Sequence, residues 1–422
     1  MRLDVPYGKG SISVNIPDEN LAGVIRPNEV EIGDEKATIF QAIENPINSK
    51  TLEEFLSDAK DVLFIVNDGT RPTPTAKILD IIYDKIKDKN IKFIIATGIH
   101  RAPTDGELKF IFGEHLESLK DKIHIHDAKK EEDMVFIGKS KNGTEMWVNK
   151  LGVEAHKIVI ISSVEPHYFA GFTGGRKSFL PGIASYKTIE QNHKYAMRNE
   201  AQPLALEGNP VNEDMEDAIL TIKDTEIFAI MAVLDRHQNI YATTAGHIKD
   251  SFHAAIDRAN EVFAVPIKER ADIVVSVAPY PMDIDLYQSQ KAIENGKLAL
   301  KEGGIIILVS KCRDGIGDKV FFDLLASSSD AKEVLTTIEM GYKLGYHKAA
   351  RIVEASKKGE IWAVCDIDDE AIKKAFMKPY PGVQEAVDDA ILKKGKDAKV
   401  LFLIDGSVTV PLIFHNEDDN KR

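Results

Sequence analysis

The sequence predicts an α/β protein of two domains with mostly parallel, doubly wound sheets and an active site in the cleft between them. Three observations carry this reading. Short apolar runs at 62–66, 91–96, 158–161, 227–234, 273–277, 305–309, 361–364 and 400–404 alternate with helical periodicities. Polar, glycine-bearing segments follow directly on several of these runs, where open α/β sheets place their ligands. A chain of 422 residues is long enough for two full cores.

In the first domain, residues 1–50 read as short strands and turns, with Ile12 and Val14 alternating and Pro17, Pro27 and Pro46 as punctuation. The run at 62–66 leads into Asn67-Asp68-Gly69-Thr70-Arg71-Pro72-Thr73-Pro74. A helix bearing Ile78, Leu79, Ile82 and Ile86 follows, with Thr73 expected as its N-cap and Pro74 in its first turn. The next strand ends in Thr97-Gly98-Ile99-His100-Arg101, which completes a βαβ unit. Its strands are parallel, so Asp68, Arg71 and His100 should emerge on one edge of the sheet. Thr104 and Glu107 have the spacing of a capping box, which accounts for Glu107 structurally. His124 and His126 lack a third ligand in reach and read as a surface or core face. Helices near 211–222 and 250–263 flank the strand at 227–234.

The boundary is expected between 264 and 270, giving domains 1–268 and 269–422, the tail packing back on the first. In the second domain Gln288 and Lys291 share a helical face. Helices near 331–343 and 381–394 separate its later strands, and 416–422 reads as a frayed polar tail.

Composition narrows the partners. With 43% hydrophobic and 29% charged residues and a net charge of −13, the chain repels nucleic acid and anionic membranes. Cys312 and Cys365 are the only cysteines, too few for a disulfide framework or a cysteine-rich zinc site, and they fit a reducing cytoplasm. The N-terminal segment has no apolar core of signal length, and no later apolar run approaches the length of a membrane span.

The chemistry concentrates in 162–182, which opens where the run at 158–161 ends. It contains His167, glycines at 171, 174 and 175, and the cations Arg176 and Lys177, with His193 sixteen residues beyond the lysine. Positive φ at the glycines would let backbone approach a bulky anionic ligand. A P-loop is excluded, because the Walker pattern needs Gly-Lys-Ser/Thr where this chain reads Arg176-Lys177-Ser178. The plain alternative is a glycine-rich turn with a solvated lysine.

Five separated segments resemble the nickel-dependent lactate racemase family and its 2-hydroxyacid racemase relatives. They are Asp68-Gly69-Thr70-Arg71-Pro72, Gly98-Ile99-His100-Arg101, Glu165-Pro166-His167-Tyr168 with Gly171 to Lys177, then His193, and Tyr287-Gln288-Ser289-Gln290-Lys291. The resemblance implies a nickel-pincer nucleotide, a pyridinium-3-thioamide-5-thiocarboxylic acid mononucleotide, tethered through Lys177, with His193 completing a square-planar nickel site. His100 and His167 match the paired acid/base histidines. Arg71 and Lys291 match carboxylate-binding cations, with Tyr287 and Gln288 beside them. Asp68, Thr70, Gly174 and Gly175 fall at cofactor positions or just behind them. Trp362 matches a substrate-contacting tryptophan, the alternative being a buried core aromatic.

The implied reaction racemises lactate or a related short 2-hydroxycarboxylate by reversible hydride transfer through a 2-keto acid. Cofactor-synthesis enzymes are implied as maturation partners. Thr173 replaces an expected serine, and Ile99 and Ala102 replace an expected threonine and proline around His100. The rival readings are a Schiff-base lyase using Lys177, a zinc hydrolase using His100, His167 and His193, and a non-catalytic nucleotide- or cofactor-binding protein.

Overall fold

The computed structural model describes residues 1–220, 222 and 225–413, so the expected frayed tail at 416–422 lies outside the described residues. The chain divides into two units, one of residues 29–262 and one of residues 1–28 with 263–422. The crossover at 262–263 falls a few residues before the expected boundary. The assignment of residues 1–28 to the first domain is corrected.

The unit of residues 29–262 is built on six strands. In sheet order they are Ile240–His247, Glu226–Leu234, Lys157–Ser163, Val62–Asn67, Ile91–Ala96 and Ile123–Ile125. All pairings are parallel except that of Ile240–His247 with Glu226–Leu234. Counted along the chain the strands lie in the order 6-5-4-1-2-3. The winding therefore reverses between Val62–Asn67 and Lys157–Ser163, and such a switch point opens a crevice beyond the strand ends.

Both faces of this sheet are covered, which is why its inner strands are continuous apolar runs rather than alternating ones. Phe64, Phe93 and Phe112 pack in its core with Ile78, Leu79, Ile82 and Ile86. Those four isoleucine and leucine side chains lie on one face of the helix Thr75–Ile86. Its N-terminus corrects the expected cap: Pro74 takes the cap position, and the Thr73 hydroxyl instead donates to Asn67 Oδ1 at 2.7 Å and lies 3.0 Å from Ser163 Oγ. The Thr104–Glu107 capping box is present on the helix Asp105–Phe112. Within the stretch read as strands and turns there is a helix, Glu35–Glu44, capped by Asp34 and burying Ile39 and Ile43.

The other unit carries a six-stranded sheet in the order Lys378–Pro379, Glu360–Val364, Leu300–Val309, Ala271–Val277, Val400–Leu403 and Leu21–Ile25, parallel throughout. Leu21–Ile25 completes its edge, and the hairpin Arg2–Tyr7 with Gly10–Asn15 places Val5 and Val14 in the same core as Val383, Ala386 and Phe402. Burial of these side chains is the physical reason residues 1–28 join this unit. Three helices here were not read from the sequence: Lys319–Leu325, Tyr346–Lys358 and Asp369–Lys374. No helix among the described residues is long and apolar enough to cross a membrane.

Candidate functional site

The two strands flanking the switch point end in Asn67 and Ser163, and the segments that follow them hold most of the expected site residues. Asp68 is buried, and its Oδ1 accepts from the Thr70 hydroxyl at 2.7 Å and the Thr70 amide at 3.2 Å. Its Oδ2 lies 2.7 Å from His100 Nδ1. Burial pushes the Asp68 carboxyl up, but the hydrogen bond and charge of His100, with Thr70 and Arg71, outweigh it and hold it below the usual carboxylate range. The expected convergence of Asp68 and His100 on one sheet edge is thus a direct contact.

Arg71 crosses the switch point. Its Nη1 donates to Glu165 Oε1 at 3.0 Å, an ion pair in which both side chains are mostly buried. Glu165 in turn is fixed by Thr173, whose amide donates to the Glu165 carbonyl at 2.8 Å while its hydroxyl accepts from the Glu165 amide at 2.9 Å. The hydroxyl expected at this position is therefore in use, which explains why threonine serves there.

His167 ends the first strand of a short hairpin, Pro166–His167 with Gly171–Phe172, pairing with Gly171 across a three-residue loop, and is 8% exposed. The Ala170 amide donates to its Nδ1 at 3.3 Å. Its ring stacks on Tyr168 and meets Phe169 edge to face at a centroid distance of 4.5 Å. Phe169 was not singled out from the sequence, yet it is the residue on which the loop converges. The Lys177 ammonium lies 5.7 Å from its ring centroid, and the His193 ring meets it at 5.1 Å.

His193 sits near the end of the helix Tyr186–Lys194, which Ser185 caps. The side-chain amine of Asn192 donates to the Val211 carbonyl at 3.1 Å. The Asn192 Oδ1 is thereby turned to accept from His193 Nδ1, 3.1 Å away.

Gly171, Gly174 and Gly175 have φ of +75°, +87° and +52°, as their expected freedom requires. Their close approaches are to protein. A Cβ on Gly174 would come within 2.6 Å of Val164 Cγ2, and one on Gly171 within 2.3 Å of the Ala205 carbonyl oxygen.

The paired cations also separate in role. Arg176 is 2% exposed and donates to the carbonyls of Ala170 at 2.8 Å and Phe172 at 3.2 Å and to Asn212 Oδ1, with its guanidinium over Phe252. Burial pulls its pKa down to about 9, with Glu216 opposing. The expectation that Arg176 offers its charge to an anion is corrected: it ties the loop to itself, and Lys177 is the cation left on the Phe169 side.

In the other unit, the helix Leu286–Gly296 is capped by Asp285, and Tyr287, Gln288 and Lys291 are half-buried on its first turns. The Lys348 ammonium, which the sequence did not single out, lies 3.7 Å from the Tyr287 ring centroid and donates to the Tyr287 carbonyl. Burial, with the charge of Lys291, holds Lys348 well below the usual lysine range. Trp362 is corrected as a substrate contact. It is 1% exposed, stacks on Tyr380 at 4.6 Å and donates through Nε1 to Glu360, so it is a core residue. Likewise His126 is buried, with Nε2 3.0 Å from the Ala184 carbonyl. No group of three or more His, Cys, Asp or Glu side chains suited to a metal occurs among the described residues.

A doubly wound sheet whose switch point carries two histidines, an arginine and a lysine-bearing loop defines an α/β enzyme. Residues 7–204 match a model described as the lactate racemase N-terminal domain, and 267–410 one described as the lactate racemase C-terminal domain. The chain is 33% identical over 423 residues to a lactate racemase of Thermoanaerobacterium thermosaccharolyticum, covering 96% of this chain and 97% of that protein. It is 33% identical over 419 residues to a lactate racemase of Lactiplantibacillus plantarum, covering 96% and 98%. Its structure matches that of the T. thermosaccharolyticum lactate racemase apoprotein with a TM-score of 0.91 at 32% identity, covering 98% and 100%. A Thermotoga maritima crystal structure with a TM-score of 0.69 and 15% identity, covering 90% and 99%, shares the fold. The chain belongs to the lactate racemase family and is an isomerase.

Proposed function

We propose that this protein racemises lactate or a closely related short 2-hydroxy acid, using a nickel-pincer nucleotide carried on Lys177. The observation that carries the reading is the convergence of Lys177, His193 and His167 on Phe169, beside the Arg71–Glu165 and Asp68–His100 pairs. The donor set suits the cofactor: one primary amine, Lys177, for an amide-type tether and one imidazole, His193, oriented through its Nδ1. His193 would be the protein's ligand to a metal otherwise held by the cofactor. When bound, that group supplies the acceptor and donor of the substrate's α-hydride.

The chain's own residues supply the rest. Arg71 grips the substrate carboxylate through the part of its guanidinium fork that Glu165 leaves free. In the arrangement seen, ionised Asp68 accepts from His100 Nδ1, so the neutral ring presents its Nε2 lone pair as a base. His167 supplies the second imidazole, its ring oriented by the Ala170 amide at Nδ1. One imidazole removes the hydroxyl proton and the other returns it, which racemisation through a flat 2-keto acid demands. Thr70 and the glycines 174 and 175 support cofactor and loop.

The test is an intact mass of protein produced beside the cofactor-synthesis enzymes, paired with a racemisation assay on each lactate enantiomer. We expect a covalent adduct at Lys177 together with nickel and interconversion. An unmodified, active protein would overturn the cofactor assignment, and a modified protein inert on lactate but active on another 2-hydroxy acid would overturn only the substrate. Borohydride trapping of substrate on Lys177 would support the Schiff-base lyase instead.

A further inference from the structure

We propose that Cys365 and Cys312 form a peroxide-reactive dithiol site, with Cys365 as the attacking thiolate and Cys312 as the resolving thiol. Both cysteines are free. They follow adjacent parallel strands, Leu300–Val309 and Glu360–Val364, whose pairing continues past the strand ends. The Ser310 amide donates to the Val364 carbonyl at 3.1 Å, and the Asp366 amide donates to the Lys311 carbonyl at 3.2 Å. These two bonds bracket Cys365 and lay the segment holding Cys312 alongside it.

The two thiols differ in the way such a pair requires. Cys312 is 2% exposed and lies 3.6 Å from Ser310 Oγ and 3.7 Å from Ser289 Oγ. The neighbouring Cys365, then burial, pushes the Cys312 thiol up. Cys365 is half-buried, and peroxide needs such access. The Cys312 thiol, followed by the Ile367 amide, pulls the Cys365 pKa down against burial and the charges of Asp366 and Asp369. Lys311, paired with Asp366 at 3.6 Å, adds a cation to this strand end. A partly exposed thiol beside a buried one is the asymmetry of a nucleophile and its resolving partner. Neither cysteine has a role in the racemisation proposed above.

The chemistry balances with a hydroperoxide as the oxidant. Cys365 Sγ attacks one peroxide oxygen, the O–O bond breaks, and the departing hydroxide takes a proton to become water, leaving Cys365 as a sulfenic acid. Cys312 Sγ then attacks Cys365 Sγ, the S–O bond breaks, and a second water leaves with the Cys312 proton. Two thiols are oxidised to one disulfide, and one peroxide is reduced to two waters.

The experiment treats the reduced full-length protein with hydrogen peroxide and maps peptides without reductant. We expect a peptide linking Cys312 to Cys365 that dithiothreitol dissolves. We expect Cys312→Ser to stop at a Cys365 sulfenic acid trapped by dimedone, formed faster than on free cysteine at neutral pH. Cys365→Ser should give neither product. Absence of the linked peptide from the wild type, or trapping no faster than on free cysteine, overturns the proposal. The wild-type map stands without either variant, so a substitution that fails to fold leaves the test intact.

Discussion

His100 Nδ1 lies 2.7 Å from Oδ2 of Asp68, and the carboxylate is held ionised there against its own burial. An acceptor at that distance fixes which ring nitrogen of His100 carries the proton and which is left for the substrate. Asp68→Asn keeps the shape and presents an amide in place of the acceptor, so the tautomer is no longer enforced. We expect turnover to fall by ~10²–10⁴, the usual worth of an acid/base group, with nickel content unchanged. Steady-state rates with metal analysis check this, and a variant that lost nickel in parallel with rate would place Asp68 with the cofactor instead.

The Arg71–Glu165 pair at 3.0 Å makes a different prediction. A lysine keeps the charge of Arg71 but loses the fork that serves Glu165 and a carboxylate together. Arg71→Lys should raise KM by roughly 10–100-fold, the equivalent of ~1.5–3 kcal/mol for a charged hydrogen bond. The change in kcat should be smaller. An unaltered KM would remove Arg71 from substrate binding.

Phe169 is 3% exposed, and its ring touches those of His167 and His193, with the Lys177 ammonium over it. Phe169→Ala should cost ~3–5 kcal/mol in denaturant-measured stability of the folded protein, as deletion of a buried aromatic does. Phe169→Leu should recover most of this while still weakening nickel retention, because the edge contact to His193 is lost. Full nickel retention in both variants would leave Phe169 as packing alone.

The alternation of apolar runs and helical periods was enough to read both sheets, because strands buried on two faces announce themselves locally. Leu21–Ile25 was not legible: its partner strand, Val400–Leu403, lies at the other end of the chain, and no local pattern encodes such a pairing. Thr73 read as a helix cap because Thr-Pro suits one, but Asn67 and Ser163 across the switch point compete for its hydroxyl. Arg176 and Lys177 are neighbours of the same charge, and only the fold turns one onto carbonyls and the other toward Phe169. His100, His167, Lys177 and His193 stood out because each sits in a segment with little structural reason for its residue type. Phe169 and Lys348 did not, since an aromatic or a lysine is unremarkable until its neighbours are known.

The capping box beside His100 carries a pH prediction. Arg101, through its two hydrogen bonds, holds the Glu107 carboxyl down at about 2, with the Thr104 amide and hydroxyl adding to this against burial. The unfolded value is ~4.3. A depressed folded pKa means the stabilisation is full above that value and is lost as pH falls from it toward 2. Glu107→Gln should therefore melt below the wild type at pH 6, and the gap should close as pH falls toward 2. A gap independent of pH would mean the glutamate acts by shape alone.

The final prediction separates His100 from His167. Their Nδ1 atoms face different partners, the Asp68 carboxylate for His100 and the Ala170 amide for His167, which orient the two rings separately. If they serve opposite faces of the substrate carbon, every full turnover uses both, and His100→Ala or His167→Ala should each cut racemisation in both directions by ~10²–10⁴. Nickel and the Lys177 adduct should be retained, since neither histidine is assigned a part in the tether or in holding the metal. A single turnover discriminates further. Acid quenching within the first turnover should release 2-keto acid from one lactate enantiomer when His100 is missing, and from the other when His167 is missing. The surviving imidazole can still take the hydroxyl proton of the enantiomer it faces. Equal enantiomer preference in the two variants, or normal racemisation in either, would make one of the pair structural, and the contrast between their Nδ1 partners would then belong to the loop's folding alone.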